Sequence, residues 1–64
     1  MISDVDIYRT AEVLLAQHGN AAIQLAVERS LIFSEKGDTD SAALWRRIER
    51  AMEAVQARQF RQAD

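Results

Sequence analysis

The segment Gly37–Ile48, which reads GDTDSAALWRRI, decides the fold of this 64-residue chain. Gly37 is suited to follow the last turn of a helix, because glycine adopts the left-handed conformation needed there at little cost. Each of residues 38–40 (Asp, Thr and Asp) can cap the start of the next helix through a side-chain oxygen, and the sequence does not choose between them. The segment therefore predicts a turn between two helices, with the only tryptophan of the chain, Trp45, in the second helix.

Three helices are predicted around this turn, at about residues 4–18, 21–36 and 40–59. Ser3 and Asn20 are the expected N-caps of the first two, and Gly19 follows the first helix as Gly37 follows the second. The chain has no proline and only two glycines, which suits long helices with short connections. We therefore predict a single all-α domain over residues 1–64, a three-helix bundle in which helices 2 and 3 form an antiparallel hairpin.

Helices 1 and 3 each carry one apolar stripe when successive residues are placed roughly 100° apart. The stripe of helix 1 contains Ile7, Tyr8, Ala11, Leu14, Leu15 and His18. The stripe of helix 3 contains Leu44, Trp45, Ile48, Ala51, Met52 and Val55. We expect both stripes to face the core, with Trp45 at its edge, where the indole N–H can find a partner. His18 is expected to pack its ring and to meet the carbonyls of the last turn, while a role in pH sensing or ligand contact stays open.

Helix 2 has more apolar surface than a three-helix bundle covers. Its wide face of apolar and small residues contains Ile23, Ala26, Val27, Ser30, Leu31, Phe33 and Ser34. Leu25 and Ile32, one heptad apart, lie outside this face, between a polar strip on one side and two basic residues on the other. The polar strip contains Gln24, Glu28 and Glu35, and the basic residues are Arg29 and Lys36.

These surplus positions predict a protein interface of Leu25, Ile32 and Phe60. Phe60 is included because it falls off the stripe of helix 3, where it either ends the helix or contacts another chain. Exposed apolar side chains commonly mark an interface, although Met1, Ile2 or the C-terminal tail can also cover Leu25 and Ile32. A chain of this size buries only about 60% of its unfolded surface, and without cysteine it has no disulfide to stabilise it. We therefore expect a homodimer.

Charge is unevenly distributed along the chain, although the net charge is only −2. Residues 1–40 contain seven acidic and three basic residues, a net charge of −4, whereas residues 41–64 contain five arginines and three acidic residues, a net charge of +2. The arginines share one half of helix 3 and are Arg46, Arg47, Arg50, Arg58 and Arg61. This arginine face is most simply a solvated surface, but it also suits contacts with the carboxylates of a partner, such as a second copy, or with phosphates. The charge falls short of a strongly basic nucleic-acid footprint.

The residue types needed for most catalytic and metal sites are missing. The chain has no cysteine and one histidine, which excludes thiolate clusters and two-histidine zinc sites. No serine lies in a glycine-bracketed elbow, and two isolated glycines do not form a phosphate-binding loop. Residues 38–40 have the alternation that begins a calcium loop, but the later ligands do not follow, so capping is the favoured interpretation. We predict no catalytic, cofactor or metal site, and no enzyme activity.

No apolar run approaches the roughly 20 residues that span a bilayer, and the acidic N-terminus does not resemble a signal peptide. The expected location is the cytoplasm.

Several short motifs spread over most of the chain are similar to those of known proteins, namely Ile7-Tyr8, Ala11, Leu14, His18-Gly19, Arg29, Gly37-Asp38, and Ala42-Ala43 followed by Trp45-Arg46-Arg47-Ile48. Through these residues the chain resembles a family of short, uncharacterised bacterial all-α proteins of about this length. The similarity extends to about Val55. Asn20 replaces a common acid, Ser41 replaces a common glycine, and the Leu31–Phe33 run is more apolar than usual. The resemblance implies no function, because that family has no established activity.

Two functional hypotheses follow from these patterns. The first is a small cytoplasmic protein-interaction or regulatory module that acts through helix surfaces as a homodimer. The second is a nucleic-acid-associated accessory protein that uses the arginine face.

Overall fold

Three helices make up the described part of the chain, in a computed structural model that describes the backbone of residues 3–62 and the side chains of residues 3–58. The helices are α1 (Asp4–His18), α2 (Ala21–Glu35) and α3 (Thr39–Gln62). Residues 3–62 contain no strand, so the predicted all-α class is confirmed. Relative to the predicted bounds, α2 ends one residue earlier, and α3 begins one residue earlier and continues three residues further. Phe60 does not end α3, because no glycine or proline interrupts this part of the sequence.

The two ends of α1 follow the sequence pattern. The Ser3 hydroxyl oxygen accepts a hydrogen bond from the Asp6 backbone N–H at 3.2 Å, which confirms the predicted N-cap. At the other end, Gly19 has φ +58°, and its N–H donates to the Leu15 carbonyl at 2.8 Å. A positive φ at this position explains why glycine is found there.

The start of α2 differs from the prediction, because Asn20 does not cap it through its side chain. Its backbone is already helical, with φ −64° and ψ −20°. A capping side chain reaches forward from an extended backbone, so this conformation points the Asn20 amide elsewhere. The Ala22 N–H instead donates to the Gly19 carbonyl at 3.1 Å, and this bond links the two helices through a very short connection.

The turn between α2 and α3 is a Schellman motif built around Gly37. Gly37 has φ +81°, its N–H donates to the Ser34 carbonyl at 3.1 Å, and the Asp38 N–H donates to the Phe33 carbonyl at 2.9 Å. These two bonds satisfy carbonyls that the end of a helix leaves without an intrahelical partner. The turn that the sequence placed here is therefore present.

Asp38 is the N-cap of α3 among the three candidates that the sequence left open. One of its carboxylate oxygens accepts from the Ser41 N–H at 3.1 Å and the other from the Ser41 hydroxyl at 2.8 Å. The hydroxyl bond first, and then the backbone bond, lower the pKa of the Asp38 carboxyl below 3.8. Both carboxylate oxygens serve the cap, as the capping interpretation requires.

Helices α2 and α3 pack closely and share the largest of the three helix interfaces. The Arg29 guanidinium carbon lies 5.1 Å from the centre of the Trp45 ring, and both residues are eight positions from Gly37. Ala26 and Ile48, which belong to the same buried cluster, are likewise at equal sequence separation from Gly37, eleven residues on either side. Because residues at equal sequence separation from Gly37 lie together, the two helices run in opposite directions on either side of the turn at Gly37.

Helix α1 lies beside only the later part of α3. Its first residue, Asp4, pairs with Arg47, and further along Leu15 and Val55 line one groove. Residue numbers rise together along both helices, so α1 and α3 run in the same direction. At 1.5 Å per residue, the 15 residues of α1 are shorter than the 24 residues of α3 by about 13 Å.

The molecule therefore has two regions of different construction. In the three-helix part, α1 covers the first half of α2 and α3 from Arg47 onward. In the two-helix end, residues 28–35 of α2 and 39–46 of α3 extend past the start of α1, and Leu44 and Trp45 of this end pack against the edge of the core cluster. This extension past α1 is consistent with a longest dimension of 43 Å against 24 and 17 Å for the others.

Small residues form most of the core. Its buried members are Ile7, Ala11, Ala22, Ala26, Ile48, Ala51 and Met52. Met52 is the only large side chain that is fully buried among the described residues. Larger side chains pack around this cluster and stay partly exposed, namely Leu14, Leu15, Ile23, Leu44 and Trp45. In the two-helix end the buried residues are Ser30 and Ala42, and the Ser30 hydroxyl donates to the Val27 carbonyl at 2.7 Å.

Four residues assigned to the apolar stripe of helix 1 or to the wide face of helix 2 are exposed. Tyr8 and His18 on α1 are exposed, and so are Leu31 and Ser34 on α2. Leu31 keeps 56% of its surface accessible, because it lies in the two-helix end on a side of α2 that no other helix reaches. Trp45 is half-buried, as expected for a residue at the edge of the core.

Candidate interaction surfaces

Leu25 and Ile32 form a short apolar strip on α2, which we call the outer stripe. Seven residues bring the helix round to within about 20° of its starting direction, so the two side chains lie almost in line. Ile32 keeps 48% of its surface exposed, whereas Leu25 is partly buried and is not among the exposed residues. The sequence pattern predicts both residues as apolar positions that the bundle does not cover, but the exposed fraction of Ile32 is larger than that of Leu25. The third predicted member of the interface, Phe60, has a side chain outside the described residues.

Charged side chains border the outer stripe on both sides. Glu28 and Glu35 lie on one side and Arg29 and Lys36 on the other, and all four are exposed. The ion pair found among side chains 3–58 joins Arg47 to Asp4, so none of these four charges is used in an ion pair inside the described chain. The outer stripe is therefore an apolar strip with an acidic border and a basic border.

Arg29, on the basic border of this stripe, contacts Trp45 of α3. At 5.1 Å from the ring centre its guanidinium is within cation–π distance, which contributes about 0.5–1 kcal/mol at an exposed site. The sequence pattern identifies Arg29 only as a boundary residue and does not predict this contact. The signal that could have found it is the equal spacing of Arg29 and Trp45 from Gly37.

The arginine face of α3 is divided by an internal contact. Arg47 donates to the Asp4 carboxylate at 2.9 Å, although both side chains remain solvent-accessible. Arg46, Arg50 and Arg58 are exposed, and the Arg61 side chain lies outside the described residues. The sequence suggested that this face could contact carboxylates of a partner, such as a second copy. Here the acid comes from α1 of the same chain.

Two open grooves flank α3. The first has a volume of about 310 Å³ and is lined by Glu12, Leu15, Ala16, Gly19, Asn20, Val55 and Gln56. The second, of about 270 Å³, is lined by Asp4, Ile7, Tyr8, Arg47, Arg50 and Ala51. Neither lining contains His18, and neither places a serine or threonine hydroxyl beside a base. The described grooves thus offer no nucleophile–base pair of the kind that covalent catalysis needs.

The same part of the chain has no grouping typical of a metal site and no membrane-spanning helix. Within the described residues, no three His, Cys, Asp or Glu side chains are grouped so that they could hold a metal ion. No described helix combines the length and the hydropathy needed to cross a membrane. Comparison with protein-family models, curated protein sequences and solved structures gives no significant match to this chain.

Proposed function

We propose that the protein is a small interaction module that forms a homodimer through the outer stripe of α2. One observation carries the proposal: most large apolar side chains lie at the edge of the core rather than inside it. The core proper consists mainly of alanines, with Met52 as its one large, fully buried side chain among the described residues. A single copy therefore gains little hydrophobic stabilisation from its larger residues.

The energetics favour association because small domains have little surplus stability. Burial of apolar surface contributes about 25 cal/mol per Å², and chains below about 70–80 residues rarely gain more than a few kcal/mol from one core. Ile32 keeps 48% of its surface accessible and Leu25 is partly buried, so a second copy would cover apolar area that one chain leaves in water. In a symmetric dimer each stripe would serve as the partner surface of the other.

Static light scattering across a wide concentration range tests the proposal, with Ile32→Glu as the disruptive variant. We expect the wild-type chain to show a rising molar mass that reaches that of a dimer, and Ile32→Glu to stay monomeric. A buried glutamate without a partner opposes association strongly. Circular dichroism of each variant shows whether the helices remain folded.

Leu31→Glu and Val13→Glu are the matched controls. Leu31 is the next residue along α2, is exposed to 56%, and points about 100° away from Ile32. Val13 is exposed to 53% on α1. We expect both controls to dimerise like the wild type. A monomeric wild type at all concentrations would overturn the proposal, and so would a dimer that Leu31→Glu disrupts while Ile32→Glu does not.

The second candidate function is an accessory role on nucleic acid through the arginine face. The exposed guanidinium groups of Arg46, Arg50 and Arg58 on one helix support it. Binding to a phosphate backbone weakens steeply with salt, because it releases counterions. Titration against duplex DNA and RNA at low and high salt tests this function, and Arg46→Gln with Arg50→Gln should reduce both the affinity and the salt slope. An absence of binding at low salt would remove it.

A further inference from the structure

The borders of the outer stripe carry information about the direction in which two copies can pair. At roughly 100° per residue, Glu28 and Glu35 lie about 50–70° to one side of the Leu25–Ile32 line. Arg29 and Lys36 lie about 30–50° to the other side. The stripe is thus asymmetric across its width, with acids along one edge and bases along the other.

Two such helices packed face to face can run in the same or in opposite directions. When they run in the same direction about a two-fold axis along the helices, the left edge of one lies against the right edge of the other. Acids then meet bases on both sides. When they run in opposite directions, like edges meet, so acids face acids and bases face bases. The same rule governs charge pairing beside the apolar seam of coiled coils.

We infer that two copies pair with their α2 helices parallel, with Glu28 beside the partner's Arg29 and Glu35 beside the partner's Lys36. This inference rests on the homodimer proposed above and adds its orientation and the contacts that set it. Two observations support it beyond the charge pattern. The ion pair among side chains 3–58 leaves all four charges available to a partner. The Arg29 guanidinium also lies over the Trp45 ring, and this contact reduces the freedom that the side chain loses when it meets a carboxylate.

The charges set the orientation more than the strength of the dimer. Exposed ion pairs contribute little individually, whereas like charges that face one another select against the wrong arrangement. Both directions bury the same two apolar side chains of each copy, Leu25 and Ile32. The preference for parallel pairing therefore depends on the four border charges.

Disulfide cross-linking of single cysteine variants measures the relative orientation of the two α2 helices directly, because the chain has no cysteine of its own. In a parallel dimer each residue of the stripe lies near its own counterpart, so Leu25→Cys and Ile32→Cys should each form a symmetric disulfide under mild oxidation. In an antiparallel dimer only one point along the stripe meets itself, and a mixture of the two variants would cross-link instead. Leu31→Cys is the control and should not cross-link, because it points away from the stripe.

Light scattering on the wild-type chain comes first, so that the homodimer and its orientation are tested separately. A monomer at every concentration would refute the homodimer, and the orientation would fall with it. A dimer that cross-links only in the mixed sample would leave the homodimer standing and overturn parallel pairing. Symmetric cross-links from both single variants are the expected result.

A charge variant gives an independent measurement. Glu28→Lys combined with Glu35→Lys makes both borders basic, which turns every acid–base contact of a parallel dimer into repulsion. We expect the dissociation constant to rise by roughly tenfold or more at low salt and to recover partly at high salt. An antiparallel dimer already places like charges together, so an unchanged dissociation constant would contradict the inference.

Discussion

The three-helix part and the two-helix end contain the same kinds of residue but bury their apolar side chains to different extents. Where α1 lies over the other two helices, the cluster around Met52 is buried. Beyond the start of α1, the buried residues are only Ser30 and Ala42, and the apolar side chains of Leu31 and Ile32 are about half exposed. The difference follows from the position of α1 rather than from hydropathy. A helix pattern says which face is apolar, but a neighbouring helix decides how much of that face is buried.

The largest expected effect is the loss of the Met52 side chain from the three-helix part. Met52→Ala removes a fully buried side chain and leaves a cavity, so we expect the free energy of unfolding to fall by about 2–5 kcal/mol. Ile32→Ala in the two-helix end should cost less than half as much in a dilute, monomeric sample, because Ile32 is already 48% exposed. Urea denaturation followed by circular dichroism measures both variants. Equal losses would contradict the distinction between the two regions.

The next effect concerns the pivot between α2 and α3. Gly37→Ala forces a side chain into a backbone with φ +81°, which we expect to cost about 1–2 kcal/mol. No atom lies within 4 Å of the added Cβ, so the cost comes from the backbone and not from a clash. Gly37→Asn is the control and should recover part of the loss, because asparagine tolerates this region better. Thermal unfolding compares the three chains, and an alanine variant as stable as the wild type would refute the explanation.

A smaller effect tests how the two-helix end is held together. Arg29→Ala removes the cation–π contact with Trp45, and we expect a loss of about 0.5–1 kcal/mol. Trp45 is the only tryptophan, so its fluorescence spectrum reports the change directly. Arg46→Ala, on the exposed side of α3, is the matched control and should leave the spectrum unchanged. If both variants shift the emission equally, the contact in the structure is not the cause.

The smallest expected effect is a pH dependence of the stability, which arises from the N-cap of α3. The folded chain lowers the pKa of Asp38 below 3.8 through its hydrogen bonds from Ser41, so the unfolded chain binds the proton more readily. The contribution of Asp38 to stability is therefore complete above pH 3.8 and is lost as the pH falls through the lower pKa of the folded state. Asp38→Asn keeps an acceptor for the cap but does not titrate, so its melting temperature should depend less on pH in this acid range.

Asp40→Asn provides the control for this pH experiment. It removes one acid from the same turn without changing the two hydrogen bonds from Ser41. A flattening of the pH profile in Asp38→Asn alone is the expected result. The same flattening in both variants would mean that the general charge of the turn, and not the cap, is responsible.

Local signals in the sequence were enough to predict the turns and most of the helix caps. Ser3 and Gly37 act through hydrogen bonds within a few residues, and such bonds depend little on the rest of the fold. Asn20 is the exception, because the connection between α1 and α2 is so short that its backbone stays helical and cannot present the side chain as a cap. The all-α class also followed from periodicity and from the lack of proline.

The distribution of exposed apolar residues could not be predicted in the same way. Leu31 has the periodicity of a core residue, and its exposure depends on where α1 begins relative to α3. That offset depends on contacts between residues far apart in the sequence, such as the burial of Ile7 and Ala11 in one cluster with Ile48 and Met52, which no pattern in a single helix reveals. For the same reason the arginine face was predicted as a set of residues, but not the loss of Arg47 from it.

The alanines at the centre of the bundle have a consequence for mutational tolerance. Proteins usually tolerate changes at small residues better than at large ones, but here the order should reverse. Ala11, Ala22 and Ala26 are completely inaccessible, so a larger side chain there must push two helices apart. Leu14 and Leu15 lie at the edge of the cluster and have room to change. A saturation scan of this chain should therefore find these three alanines less tolerant of substitution than Leu14 and Leu15.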